Sequence, residues 1–345
     1  MNDVKKTSQP TMDKAKIGIV GLGWISQVFH LPILTKISDA TIPCVCDKDK
    51  SRARALSEKF GIKRFYTDVH EMLAAEELDA VDICTTTNAH EEIARACLEA
   101  KKDIFIEKPI ARKYLEAVAI ADAAKKAKKK VMVGMNNRFR PDTMILRSFI
   151  ENNDLGKIFY VKGGWLKKLT DQSTWMGHKD KSGGGVFLDL GIVMLDLALW
   201  MTGYPEVLRV NASTYSHATP GVEDSAAVFL FMKNGATLTI EVSWSFYIEH
   251  ELFYCNIYGD KGSAKLNPLK IHREMHGSIV NVTPSKVDDS QNLFRRSYEN
   301  ELKHFVGTVR GVHPVISTAD EAVQRMKIVD AIYKSAAKGK EIYFK

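Results

Sequence analysis

One stretch decides the fold of this chain: Ile17-Gly18-Ile19-Val20-Gly21-Leu22-Gly23-Trp24-Ile25-Ser26. Its first four residues form an apolar strand pattern, and a glycine-rich turn follows. Gly21 permits a tight turn, and Gly23 lets backbone amides approach a phosphate because no Cβ is in the way. A helix predicted from about Trp24 directs its positive end toward that anion. Ser26 replaces the third glycine of GxGxxG and is small enough for close helix–strand packing. The stretch therefore predicts a dinucleotide-binding loop.

Strand and helix patterns alternate throughout the segment 16–135. The intervening helical segments carry apolar residues on one face, as Lys50–Phe60 and His90–Ala100 do. Six strands joined by crossover helices predict a parallel sheet covered on both faces. We therefore expect an α/β architecture whose first domain is a doubly wound Rossmann domain over residues 15–135, after a polar tail at residues 1–14. The strand signals are Lys16–Gly21, Thr41–Cys46, Arg64–Tyr66, Ala80–Thr85, Asp103–Ile106 and Val131–Met135.

The pattern changes in the second half of the chain. A helix signal at Thr143–Asn152 is followed by closely spaced strand signals without helices between them, and Lys233-Asn234-Gly235 has the Asn-Gly signature of a tight hairpin. We expect residues 136–345 to form a substrate-binding and oligomerisation α+β domain with an open, mainly antiparallel sheet. The last long helix signal, at about 318–337, is compatible with packing on either domain.

Composition and charge exclude several classes of protein. The net charge is +7, and the dense basic run at 125–130 closes a predicted helix, where lysines complement the helix dipole. Without an aromatic-rich or helix-turn-helix pattern, this run does not indicate nucleic-acid binding. No stretch is expected to reach the ~20 apolar residues of a membrane span. The five cysteines are odd in number and lack CxxC spacing, which indicates reduced thiols and no zinc site. We expect a cytoplasmic protein with no metal, membrane or nucleic-acid partner.

Asp47 ends the second strand signal and is the candidate ribose ligand. A carboxylate there accepts hydrogen bonds from both ribose hydroxyls and repels a 2′-phosphate, which favours NAD. Lys48, Lys50 and Arg52 lie nearby and are able to accommodate the phosphate of NADP. The sequence favours NAD and leaves NADP open. A solvated acid at the strand end is the competing interpretation of Asp47.

Polar residues also follow the fourth strand signal. Thr87, Asn88 and His90 are candidate cofactor contacts because the carboxyl ends of parallel strands line the cofactor's path. Thr87 or Asn88 could equally cap the next helix, with Glu91 in its first turn. A lone histidine such as His90 is more often structural than catalytic.

Glu107-Lys108-Pro109 follows the fifth strand signal and places an amine at the same edge of the sheet. Oxidising an alcohol by hydride transfer requires a base for the hydroxyl proton, and Lys108 is our candidate. The mechanism requires its neutral amine form, which burial and the positive nicotinamide ring would favour. Glu107 would orient either the ribose or the amine. Pro109 is compatible with a cis peptide bond.

A second contribution is predicted from the glycine-rich segment 182–196. Asp189, Val193, Asp196 and Trp200 fall near one helical face. Burying two acids on an apolar helix is costly without partners. The pattern therefore indicates either a polar pocket or an ion pair.

Together these features resemble the glucose-fructose oxidoreductase and inositol dehydrogenase family (Gfo/Idh/MocA). The resemblance runs from Lys16 to about Gly203 and also includes His30-Leu31-Pro32 and Asn137-Arg138-Phe139. It implies NAD(P)-dependent redox chemistry on sugars, cyclitols or their derivatives, and a homo-oligomer formed through the C-terminal sheet. It further implies catalytic Lys108, Asp189 beside the substrate, and a substrate pocket bordered by Asn136 and its neighbours, with Arg138 among them. The cofactor set is Gly21, Gly23, Trp24, Ile25, Ser26, Asp47, Thr87, Asn88, His90, Glu107 and Lys108.

One position departs from the family pattern. The family usually has a catalytic His or Tyr four residues after the aspartate that matches Asp189, whereas this chain has Val193. Losing an acid–base group typically costs ~10²–10⁴ in rate. Either Lys108 suffices alone, or His178 replaces the missing group, or the protein performs weaker or different chemistry.

We therefore predict an NAD(P)-dependent oxidoreductase that transfers a hydride between the nicotinamide and a hydroxyl or keto group of a carbohydrate-like substrate. Two alternatives remain open at this stage. One is a non-catalytic nucleotide-binding sensor or assembly protein. The other is a redox-neutral lyase or glycosidase that oxidises its substrate transiently.

Overall fold

The computed structural model describes residues 13–168, 175–285 and 290–344, so positions 1–12 of the predicted polar tail lie outside the described residues. The first sheet has seven strands, all parallel. They are β1 (Ala15–Val20), β2 (Ala40–Thr41), β3 (Cys44–Cys46), β4 (Arg64–Tyr66), β5 (Ala80–Ile83), β6 (Asp103–Ile106) and β7 (Val131–Val133). Their order is β4-β3-β1-β5-β6-β7, and β2 pairs with β1. Without β2 this is the doubly wound order of a Rossmann fold, which confirms the predicted fold of this region.

The register of this sheet brings the predicted cofactor residues to one edge. Val20 pairs with both Cys46 and Ile83, and Ile83 pairs in turn with Ile106. The carboxyl ends of β1, β3, β5 and β6 are therefore level. In an open α/β sheet, ligands bind at this edge, where the strand order reverses between β1 and β5.

The helices of this region begin and end at recognisable signals. Asp49 caps α2 by accepting the Arg52 amide hydrogen bond at 3.1 Å, and Gly61 ends it with φ of 66°. A π-helical turn, Ser26–His30, leads into α1. The helices are α1 (Leu31–Leu34), α2 (Lys50–Phe60), α3 (Val69–Ala75), α4 (His90–Glu99) and α5 (Tyr114–Ala127), with a 3₁₀ turn at Thr87–Ala89.

The second sheet has nine strands and is open. They are β8 (Ile158–Lys168), β9 (Val207–Tyr215), β10 (Ser225–Met232), β11 (Thr237–Phe246), β12 (Leu252–Gly259), β13 (Gly262–Leu266), β14 (Lys270–Met275), β15 (Ser278–Asn281) and β16 (Ile342–Tyr343). Their order is β15-β14-β13-β12-β8-β11-β10-β9-β16. All neighbours are antiparallel except β8 and β11, which run parallel. The prediction of an open, mainly antiparallel sheet is confirmed.

The second half of the chain also contains helices, and the last two of them are long. The helices of the second half are α6 (Pro141–Glu151), α7 (Lys179–Ser182), α8 (Ile192–Met201), α9 (Ser290–Val309) and α10 (Ala319–Lys338). Shorter segments are the 3₁₀ turns Asn136–Phe139 and Trp175–Gly177 and the π-helical turn Phe187–Gly191.

The sequence analysis did not identify α9, although it covers one face of the first sheet. Phe305 of α9 packs edge-on against Phe105 of β6, with ring centroids 5.4 Å apart. The last helix, α10, touches both parts of the chain: Asp320 pairs with Lys125 of α5, and the Ser335 hydroxyl accepts the Ala212 amide of β9. The division of the chain at residue 135 stays a prediction, since packing continues across it.

The stretch Lys179–Met201 is, by length and composition, apolar enough to cross a membrane. This differs from the expectation that no stretch would reach that length. Within its most apolar window, 89% is buried inside the protein, so it is packed as a core helix. The sequence analysis interpreted the same stretch as the helix that carries Asp189.

Candidate functional site

The glycine loop has the backbone that the sequence predicts. Gly21 has φ of 88°, and a Cβ there would lie 2.7 Å from the carbonyl carbon of Cys84. A Cβ at Gly23 would meet no protein atom within 4 Å, so the bare backbone faces open space. The helix begins at Trp24, and Ser26 is completely buried behind it. Exposed amides at a helix start, unobstructed by a side chain, fit a pyrophosphate.

Asp47 lies directly beside this loop and is not a solvated acid. It is 7% exposed, and its Oδ2 accepts the Leu22 amide hydrogen bond at 2.8 Å. Its Oδ1 accepts the Asp49 amide at 2.9 Å, while Arg52 Nη1 lies 3.3 Å from Oδ2. The carboxylate is therefore oriented by the backbone of the loop, as a ribose ligand requires.

Lys108 and Asp189, which are far apart in the sequence, form one ion pair. Lys108 Nζ donates to Asp189 Oδ1 at 2.5 Å and to the Asp189 carbonyl oxygen at 3.0 Å. Lys108 follows β6 and precedes Pro109 through a cis peptide bond. Asp189 lies in the π-helical turn, a distortion that often occurs at functional sites. The side chains retain 26% and 21% exposure, so the pair is partly accessible to solvent.

Trp244 of β11 completes the surroundings of Asp189. Its indole N–H donates to Asp189 Oδ2 at 3.1 Å, so each carboxylate oxygen has its own donor. Burial alone would raise the pKa of Asp189, but the Lys108 ammonium and the Trp244 indole hold it below its ordinary value. Asp189 is therefore a carboxylate in this site. The sequence analysis missed Trp244, whose only signal was an aromatic residue on the inward face of a strand.

Glu107 does not contact the Lys108 amine. Its Oε2 accepts the backbone N–H of Lys108 at 3.0 Å, and its Oε1 lies 3.0 Å from Nε2 of the buried His30. His30 Nδ1 in turn lies 2.8 Å from Asp82. Burial favours a raised pKa for Glu107, but the hydrogen bond and charge of His30 lower it. Glu107 therefore acts on the Lys108 amine only through the Lys108 backbone, and its expected contact with the ribose stays a prediction.

Around α4 the structure corrects the sequence interpretation. His90 is 1% exposed, with Nδ1 2.9 Å from the Pro109 carbonyl oxygen and Nε2 3.1 Å from that of Thr85. Both ring nitrogens face backbone carbonyl oxygens, and the neutral imidazole donates to one of them, so His90 supports the loops on either side. Its expected contact with a cofactor stays a prediction. Thr87 is 2% exposed and Asn88 is exposed. The N-cap of α4 is Ala89, so neither Thr87 nor Asn88 has the expected capping role.

Arg138, an expected substrate residue, also has a different environment. Its guanidinium is 1% exposed and donates to both oxygens of Asp196, at 2.8 and 2.6 Å. Arg325 pairs with the same carboxylate at 2.7 Å. Arg138 is therefore structural, and the ion-pair interpretation of Asp196 is the one the structure supports. Asn136 is 8% exposed, and its amide donates to Ser297 at 2.9 Å.

Among the described residues, neither His178 nor Val193 makes a polar contact with the ion pair. Within residues 175–285, His178 is exposed at the start of α7, and no hydrogen bond or ion pair joins its side chain to Lys108 or Asp189. Val193 is 4% exposed and belongs to the apolar core. The structure therefore shows a direct contact between Lys108 and Asp189, and the catalytic role of His178 stays a prediction.

Comparison with known proteins identifies the family of this chain. A family model described as "Oxidoreductase family, NAD-binding Rossmann fold" matches residues 15–135, and its companion, "Oxidoreductase family, C-terminal alpha/beta domain", matches residues 147–344. The chain is 29% identical to D-glucoside 3-dehydrogenase of Escherichia coli (strain K12), covering 97% of this chain and 99% of the relative. It is 28% identical to scyllo-inositol 2-dehydrogenase (NAD(+)) of Bacillus subtilis (strain 168), covering 90% and 91%. Levoglucosan dehydrogenase, solved with NADH and levoglucosan, shares the fold with a TM-score of 0.85 at 22% identity, covering 96% and 99%.

Proposed function

The chain belongs to the Gfo/Idh/MocA oxidoreductase family, with an NAD-binding Rossmann domain, and from that premise we propose that it oxidises a sugar or cyclitol hydroxyl, or reduces the matching ketone. Its relatives include dehydrogenases of a glucoside and of inositols. The observation that carries the proposal is the Lys108–Asp189 ion pair, which lies at the carboxyl edge of the sheet and remains accessible.

The residues at this edge fit NAD. The Gly21 and Leu22 amides already donate to Cys46 and Asp47, so the Gly23 amide and the amides of the helix start at Trp24 would hold the pyrophosphate. The oriented Asp47 carboxylate would accept the ribose hydroxyls. Arg52 beside Asp47 keeps NADP as a second cofactor to be tested. When bound, the nicotinamide supplies the hydride acceptor in oxidation and the hydride donor in reduction.

Lys108 would transfer the proton of the reacting hydroxyl. In the resting site Lys108 is the ammonium of the ion pair, so in oxidation it first releases a proton to solvent. The neutral amine then takes the hydroxyl proton, and the Asp189 carboxylate stabilises the ammonium that forms again. In reduction the ammonium returns the proton to the new alkoxide oxygen. Asp189 is held by Trp244 and by its own π-helical turn, so the carboxylate is oriented before the substrate arrives.

Of the three explanations for Val193, the geometry favours Lys108 acting alone. Val193 is enclosed in the core, and His178 has no described contact with the ion pair. Lys108 already has a charged partner within hydrogen-bond distance. A histidine at position 193 is therefore not a requirement of the proposed proton transfer.

The test is to measure NADH absorbance with a panel of sugars and cyclitols. Lys108→Ala should bind NAD as wild type does and lose ~10²–10⁴ in kcat. Lys36→Ala, at an exposed lysine away from the sheet edge, is the matched control. Unchanged turnover in Lys108→Ala would refute the role of Lys108. Product formation without net NADH would indicate the redox-neutral alternative.

We also propose that the protein is a cytoplasmic homo-oligomer assembled through the second sheet. On β10, Val228 and Leu230 face the core while Phe229 is 46% exposed on the opposite face. Phe229→Lys should lower the mass measured by light scattering if this face joins subunits. An unchanged mass would refute that interface.

A further inference from the structure

A buried cluster of ionisable groups lies behind Lys108, and the proposed proton transfer does not use it. His30 comes from the π-helical turn before α1, Asp82 from the middle of β5, and Glu107 from the end of β6. His30 and Asp82 are completely buried and Glu107 is 8% exposed. His30 Nδ1 lies 2.8 Å from Asp82 Oδ2, and His30 Nε2 lies 3.0 Å from Glu107 Oε1.

The imidazole connects two acceptors, which requires protons on both sides. A neutral imidazole has one N–H, so donation to two carboxylates requires the imidazolium. Burial alone would lower the pKa of His30, but Asp82 raises it well above its ordinary value. The groups that face this imidazole are Asp82 and Cys84 from β5, Glu107 from β6, and Tyr298 and Glu301 from α9.

A buried cluster of charged groups contributes little to the free energy of folding. Removing ions from water costs several kcal/mol each, and apolar side chains of similar volume often serve the core as well or better. The neighbours of Asp82 in the sheet are apolar: Ile19 and Phe105 pair with it on either side. The cluster therefore points to a role beyond packing.

The cluster is connected to the site through one carboxylate. Glu107 binds His30 with Oε1 and the Lys108 backbone N–H with Oε2, at 3.0 Å each. From that backbone position the Lys108 amine reaches Asp189, which belongs to a different part of the chain. A displacement of about 1 Å in such a contact is enough to cost about 10²-fold in rate.

We propose that His30 is a positioning residue: by bridging Asp82 and Glu107 it fixes the carboxylate that holds the Lys108 backbone, and thereby the place of the Lys108 amine. This inference rests on the proposed function only for its kinetic consequence. The placement of the amine is a structural claim that holds for any reaction at this site.

Two substitutions separate positioning from simple damage to the core. The amide nitrogen of His30→Gln reproduces the Nε2 donor that faces Glu107, whereas that of His30→Asn reproduces the Nδ1 donor that faces Asp82. We expect His30→Asn to lower kcat about 10- to 100-fold and His30→Gln to lower it less than about tenfold. The KM for substrate and the Kd for NAD should stay within about threefold in both. Cys84→Ala, which removes a thiol 3.3 Å from His30 without touching Glu107, is the matched control.

Crystal structures of the variants give a readout that does not depend on turnover. The contact between Lys108 Nζ and Asp189 Oδ1 should persist in His30→Gln and be lost in His30→Asn. Equal kcat in the two variants, with the contact present in both, would overturn the proposal. So would a stoichiometric metal ion in wild type, since His30, Asp82 and Cys84 offer ligand atoms within 4.8 Å of one another.

The outcomes distinguish this inference from the proposed function. If wild type turns over no compound in the panel, the proposed function fails while the crystal structures still test the positioning. If either variant does not fold, Glu107→Gln provides the second test. It retains a carbonyl oxygen for the Lys108 amide but removes the charge that His30 binds, so it should lower kcat and weaken the Lys108–Asp189 contact. Wild-type kcat with an intact contact would overturn the inference.

Discussion

Replacing Asp189 by asparagine tests the ion pair with the smallest change of shape. The amide oxygen still accepts the Trp244 indole N–H, but the negative charge 2.5 Å from Lys108 Nζ is gone. The neutral side chain therefore stabilises the ammonium formed in the proton transfer less than the carboxylate does. The substitution leaves the glycine loop and Asp47 untouched, so it should not alter the NAD site.

The size of the effect follows from the kind of bond that is lost. A hydrogen bond to a charged group contributes about 1.5–3 kcal/mol, and about 1.4 kcal/mol corresponds to a tenfold change in rate. Asp189→Asn should therefore lower kcat/KM about 10- to 150-fold. Trp244→Phe also removes a hydrogen bond to the charged Asp189 carboxylate, so its loss of kcat/KM should fall in the same range of about 10- to 150-fold.

The assay is NADH absorbance for turnover and calorimetry for the affinity of NAD. Because both substitutions act on one carboxylate, their effects on kcat/KM should be less than additive in the double variant. Turnover of Asp189→Asn within about threefold of wild type would refute the reasoning. A loss of NAD affinity as large as the loss of turnover would refute it too, since it would assign Asp189 to the cofactor.

Three further predictions concern the scaffold. Gly21→Ala forces a side chain into a backbone with φ of 88°, where its Cβ would press against the end of β5. Calorimetry should show weaker NAD binding, and denaturation should show that the free energy of unfolding falls by more than about 1 kcal/mol. Wild-type affinity for NAD would contradict this prediction. Asp196→Asn leaves the buried guanidinium groups of Arg138 and Arg325 without their shared anion. Urea unfolding should show that the free energy of unfolding falls by about 3–5 kcal/mol. An unchanged urea midpoint would exclude a stabilising role for Asp196. Burial raises the pKa of Glu301 well above its ordinary 4.5, so the folded state binds a proton that the unfolded state releases, and the free energy of unfolding should fall as pH rises above 4.5. Unfolding measured across pH should show a smaller slope for Glu301→Gln than for wild type. Identical slopes would contradict this prediction.

Local patterns were enough to predict much of the fold. The apolar runs of β1 and β6 and the Asn-Gly turn after β10 are signals carried by neighbouring residues. By contrast, α9 packs Phe305 on the first sheet and Tyr298 on Phe29 of the π-helical turn, both formed more than a hundred residues earlier. The residues near such a helix in the sequence do not indicate which surface it will cover. Neither α9 nor its packing was therefore predicted.

In the candidate site, too, contacts between residues distant in the sequence were not predicted. Sequence position identified Lys108 and Asp189 separately, because each follows a recognisable strand or glycine pattern. It did not reveal that the two pair directly, or that Trp244 holds the carboxylate. Arg138 and His90 were assigned to ligands because a sequence displays a polar residue but not its buried partner.

A crystal structure with NAD and a sugar or cyclitol that the protein turns over is the most direct test of the account. We expect the oxygen of the reacting hydroxyl to lie within about 3.2 Å of Lys108 Nζ, with Asp189 on the other side of the amine. A reacting hydroxyl bound out of reach of Lys108, with another side chain at hydrogen-bond distance, would contradict the proposed chemistry.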